Sequence, residues 1–220
     1  MTDLILGQVL SYSGDPFVEG IAAARVLTDG AVVIEGSRIA AVGDASALRA
    51  RYPGARIHDH GRKLISAGFI DAHVHYPQTA IIASWGKRLI DWLNTYTFPE
   101  EMRFADPAYA EDIANRYLDL VLARGTTTVC SYATIHPASV DAIFSAAQAR
   151  GMRLFAGKTC MDRNAPEGLR DTAQSAYDDS KALLEKWHGQ DRLSYVITPR
   201  FSPTSTPEQL QVLGQLWREY

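Results

Sequence analysis

Residues 66–78 read SAGFIDAHVHYPQ, and the architecture of the chain is decided by this stretch. A short apolar strand over 68–74 ends in His73 and His75. Residues two apart on a strand project from the same face, so the two imidazoles converge on one point. Asp71, two positions earlier, is expected on that face as well, either as a hydrogen-bonding partner of the histidines or as a buried structural carboxylate.

Downstream, strand and helix signals alternate. Asp106 and Pro107 open a helix that Gly125 stops, and TTTVCSY (126–132) is the next strand. A helix over 137–150 ends at Gly151 and leads into MRLFAGK (152–158). The segment DTAQSAYDDSKALLEKWHG gives a third helix, followed by the strand SYVITPR at 194–200. Thr206 and Pro207 start a fourth helix, with Gln209 at the capping-box position, and that helix runs to Tyr220 without a stop signal. Strands at 68–74, 126–132, 152–158 and 194–200 separated by helices predict a parallel sheet of about four βα units, a partial TIM-type (β/α) barrel of α/β class. A closed barrel takes about 250 residues, and roughly 150 are available after the N-terminal sheet.

Upstream, 1–66 reads as β-structure: LILGQVLSY, then GAVVIEG and RIAAVG separated by a Gly36-Ser37 turn. The expectation is a small β-sandwich-like domain over 1–66 and a half barrel over 67–220.

The composition is that of an ordinary folded protein, 46% hydrophobic and 21% charged, with a net charge of −3. Lys and Arg are dispersed, which excludes a phosphate-backbone groove and nucleic acid as partner. No apolar run reaches the roughly 20 residues of a membrane helix, and the N-terminus lacks a basic leader. Cys130 and Cys160 have no zinc-knuckle spacing and read as small buried hydrophobes in a reducing cytoplasm.

In a parallel βα protein the C-terminal mouth of the sheet is where sites are built, so His73 and His75 are candidate ligands of a divalent metal, zinc being the natural one. His58-Asp59-His60 repeats the spacing among polar residues before the barrel and is expected to be a solvated loop. Gln78 lies in the loop after the histidine strand, Arg200 ends the strand at 194–200 at the same mouth, and Phe201 follows it, where an aromatic is often simply core.

These residues bring a family into view. GFIDAHVHYPQ resembles the first-strand signature of the amidohydrolase superfamily, and DWLNTYTFPEE, GTTTVCSY, MDRNAP and TPRFSPTSTPEQL resemble guanine deaminase segments in the same order. The likeness covers essentially 64–220. It implies hydrolytic deamination of guanine to xanthine and ammonia by a zinc-activated water, with one zinc on His73 and His75 and the purine against Gln78, Arg200 and Phe201. It also implies a homodimer for the full-length form. The fourth barrel strand ends in Thr-Pro-Arg where two-metal relatives use a bridging lysine, which favours a single ion. Lys158 is expected to reach solvent, and His136 and His188 are expected at the surface.

In the resembled family a third histidine, a proton-shuttling glutamate and an aspartate complete the site, and all three would lie beyond Tyr220. No catalytic acid or base is therefore assigned within this chain. Another amidohydrolase acting on an amino-substituted heterocycle, or a non-catalytic half-barrel binding protein, remain alternatives. The H-x-E and P-C-x-x-C signature of cytosine-type zinc deaminases is absent.

Overall fold

The first three strands lie side by side in sequence order and the fourth returns beside the first. In the computed structural model, which describes residues 1–86 and 88–220, these are β1 (Thr2–Tyr12), β2 (Ala24–Glu35), β3 (Arg38–Asp44) and β4 (Arg56–Ile65). A short helix α1 (Pro16–Glu19) follows β1, and α2 (Ala45–Arg51) follows β3. The sheet order is β3-β2-β1-β4, antiparallel except for the parallel β1–β4 pair. Gly36 takes φ 61° in the β2–β3 turn, a left-handed conformation open to glycine. Asp44 caps α2 by accepting from the Ala47 N–H at 3.0 Å, and Ala45 and Leu48 lay that helix on Leu4, Leu6, Ala31 and Val33.

Two expectations change here. The described residues of the N-terminal unit form one four-stranded sheet covered by a helix, where a β-sandwich-like domain was expected. His58-Asp59-His60 lies inside β4, where a loop was expected. The β1 pairing orders the segment: Asp3 takes His58 Nε2 at 2.7 Å and Arg56 Nε at 2.6 Å.

The second compact unit spans Gly68–Tyr220. Its strands are β5 (Phe69–His75), β6 (Thr126–Tyr132), β7 (Arg153–Gly157), β8 (Thr159–Cys160), β9 (Leu193–Tyr195) and β10 (Thr198–Pro199). Its helices are α3 (Leu89–Trp92), α4 (Phe98–Met102), α5 (Pro107–Ala123), α6 (Pro137–Ala149), α7 (Ala173–Trp187) and α8 (Pro207–Glu219). The main sheet runs β5-β6-β7-β9, every pair parallel, and β8 pairs with β10 beyond it. Helices α5, α6 and α7 bury Ile113, Leu118, Phe144, Leu183 and Trp187 against Val129, Leu154 and Leu193 of the strands.

The strand expected over 194–200 is two pieces, and the cause is Gly157. A Cβ there would meet the Val196 carbonyl oxygen at 1.8 Å, so the glycine lets the chain pass close and bend between β9 and β10. The helix starts follow the expected capping: Asp106 accepts from Ala108 N–H at 2.9 Å, and Thr206 accepts from Gln209 N–H at 3.2 Å. The reciprocal bond from Gln209 is not made; Asp162 takes the Thr206 N–H at 2.8 Å instead.

Candidate active site

The site lies where the C-terminal ends of β5, β8 and β10 meet the segment Leu93–Met102. On β5 the register slips by one residue between Asp71 and Val74. This bulge breaks the simple alternation, and Asp71 turns back to accept the His73 N–H at 3.2 Å. The His73 and His75 rings still approach each other edge to face, with centroids 5.5 Å apart. His73 is exposed, whereas His75 is half-buried and stacks on Tyr132 at 4.6 Å with an interplanar angle of 5°.

Burial drives the His75 pKa down to about 3, and the nearby charges of Arg200 and His73 push the same way. The ring is therefore neutral, the form that binds a metal. Its Nδ1 is buried and has no partner among the described residues, a lone pair or N–H in search of one. No third His, Cys, Asp or Glu joins the pair within metal-holding distance among the described residues. The two histidines thus fit part of a zinc shell and not a closed one.

Arg200 is almost wholly buried, its side chain 6% exposed, and it bonds Glu101, 1% exposed, from Nη1 to Oε2 at 2.5 Å. Its guanidinium also lies 5.5 Å from the Phe98 ring centroid. Phe98 and Glu101 are three apart on α4, the spacing that puts two side chains on one helical face. A π-type turn over Leu93–Thr97 precedes α4 and sets that face. Burial pushes the Glu101 carboxyl up, against the pull of Arg200 and of the Gln78 amide beside it. Gln78 also lines, with His75 and Asp71, a cavity of about 430 Å³ walled by Val74, Trp92 and Tyr117.

Arg200, Gln78 and His75 thus gather at one mouth. Phe201, by contrast, is exposed and in extended backbone, without a partner ring among the described residues. Glu101 and Tyr132 lie outside the residues expected at the site; the one local signal for Glu101 is the carboxylate pair Glu100-Glu101 in an aromatic-rich helix start.

Two lysine and histidine expectations are corrected. Lys158 does not reach solvent: it is 0% exposed and its Nζ holds Asp171 at 2.6 Å, with Asp179 at 3.7 Å. The bend after Gly157 turns it under the β8 end, and the engaged ammonium is not free to bridge metals. His136 is half-buried, because Thr134 Oγ1 takes its N–H at 3.2 Å and draws the turn inward. Burial and the Lys158 charge lower its pKa. His188 is exposed as expected.

The loop after β8 is bonded throughout to the loop after β10. Asp162 receives the Thr206 N–H and hydroxyl at 2.8 and 2.5 Å. Arg163 donates to the Ser202 carbonyl at 2.8 Å, and Asn164 to that of Pro203 at 2.6 Å. The MDRN segment therefore clasps the backbone that carries Arg200 and Phe201.

The parallel βα sheet is of the α/β class, and residues 64–220 match the Amidohydrolase family. The chain belongs to that family. Residues 30–55 match the bacterial imidazolonepropionase-like composite domain. Among curated relatives, guanine deaminase of Escherichia coli K12 is 45% identical over 204 residues, which are 92% of this chain and 46% of that protein. The crystal structure of guanine deaminase from Bradyrhizobium japonicum superposes with TM-score 0.95 at 37% identity, over 100% of this chain and 48% of the other. The crystal structure of guanine deaminase from C. acetobutylicum with bound guanine in the active site gives TM-score 0.89 at 28% identity, over 100% of this chain and 51% of the other. The chain spans about half the length of these relatives.

Proposed function

We propose that this chain is the N-terminal half of a guanine deaminase, which hydrolyses guanine to xanthine and ammonia. In this reading 1–66 is a composite β domain completed by chain outside this sequence, and 67–220 is the first half of an amidohydrolase barrel. The observation that carries it is the meeting of His75, Gln78 and a buried Arg200 at one sheet mouth.

His73 and His75 would hold one zinc ion, whose chemistry is the activation of a water at neutral pH. The remaining ligands and the proton-moving carboxylate come from beyond Tyr220. Arg200 donates to the carbonyl oxygen of guanine, Gln78 offers its amide to the ring edge, and Phe201 gives an apolar face to the base. The neutral state of His75 supports the metal role, and the likeness to guanine deaminases supports the substrate. The unpaired Cys130 and Cys160 suit a reducing cytoplasm, and we place the full protein there as a homodimer.

The test measures zinc content and xanthine formation for the 220-residue chain and for a polypeptide extended through the rest of its reading frame. One zinc and turnover in the extended form alone, both lost in His73→Ala and His75→Ala, is the expected result. Extended protein that binds zinc yet leaves guanine untouched while hydrolysing another amino-heterocycle sinks the substrate assignment.

A further inference from the structure

We propose that Glu101 is a positioning residue for base recognition, holding the Arg200 guanidinium where it meets a ring carbonyl. This rests on the reading of Arg200 as the group that contacts the purine.

An arginine has many rotamers and five N–H donors, so its use for recognition depends on being fixed before ligand arrives. Here it is fixed on two sides. Glu101 takes Nη1 in a charge-assisted bond, and the Phe98 ring lies beside the guanidinium. Both come from one face of α4. The Glu101 bond is the only side-chain hydrogen bond of Arg200 among the described residues, so its other donors are left for a ligand.

Stability alone is a poor reason for the pair. Two charges withdrawn from water lose solvation that their attraction often only offsets, and an apolar pair of similar volume does as well. The geometry is instead that of a bearing: a buried carboxylate whose second oxygen, Oε1, lacks a regular hydrogen bond among the described residues, beside the Gln78 amide. The carboxylate thus serves Arg200 through Oε2, which is also what gives the FPEE segment a role.

The test separates the ring carbonyl from the rest of the ring. In the intact polypeptide that carries this chain, kcat/KM for guanine and the inhibition constant of 2-aminopurine, the same ring without the oxygen, are measured for Glu101→Gln and Arg200→Met. Glu101→Gln is expected to lower kcat/KM for guanine about tenfold, through KM, the size of one charge-assisted hydrogen bond misplaced. Binding of 2-aminopurine should stay within about twofold, a change too small to register as a lost bond. Equal weakening of both ligands by Glu101→Gln, with a guanine-selective loss in Arg200→Met, overturns the positioning role and leaves the assignment of Arg200 standing. Equal weakening of both by Arg200→Met overturns that assignment and the inference with it. Should Glu101→Gln not fold, Glu101→Asp, with the charge one methylene further back, is read by the same outcomes.

Discussion

Lys158 sits at the end of a strand, a place where lysines usually snorkel, yet it is enclosed and paired with Asp171. Removing one member of such a pair strands a charge in a dry site, so Lys158→Met is expected to destabilise the fold by about 3 kcal/mol in urea unfolding. Lys158→Met with Asp171→Leu should recover most of the loss, since neither charge remains. Zinc content should not respond to either variant, and a metal-bridging lysine would give the opposite result. Gly157 is the neighbouring constraint. Gly157→Ala places a methyl into the Val196 carbonyl, and about 1–3 kcal/mol of destabilisation, read as a lower urea midpoint, is the expected cost of the forced shift.

Between the elements, the two loops joined by Asp162, Arg163 and Asn164 behave as one structural piece. Asp162→Ala frees the Thr206 N–H and hydroxyl together and should cost roughly 1–2 kcal/mol, as the loss of a helix cap does. Thr206→Ala should cost about 1 kcal/mol, and the double variant less than the sum, because both act on the same helix start. A double-mutant cycle in urea that came out additive would show the loops to be independent. The βα alternation and the helix starts at Asp106 and Thr206 are local signals, written in N-caps, prolines and apolar runs. The histidine pair was legible for the same reason, since its two members share a strand. The Glu101–Arg200 bond joins positions 99 apart, and no local pattern announces such a meeting. The β5 bulge was equally hidden, because it arises from the register of β6 against it and not from β5 alone.

For the whole molecule, among the described residues the main sheet of the Gly68–Tyr220 unit ends on β5 and β9, and β5 presents Phe69 and Ile70 at 64% and 71% exposure. Apolar side chains on an open edge invite other chains. The 220-residue polypeptide in isolation should therefore bind a hydrophobic dye and associate as its concentration rises, and Ile70→Lys should reduce both. Dye binding unchanged by that substitution would place the sticky surface elsewhere. The order β5-β6-β7-β9 has a different consequence, in time rather than in space. Strands of this sheet lie side by side in the order in which a ribosome makes them, so each arriving βα unit finds its docking partner already present. Such a chain can assemble as it emerges, unit upon unit, with the histidine strand laid down before the arginine at the same mouth.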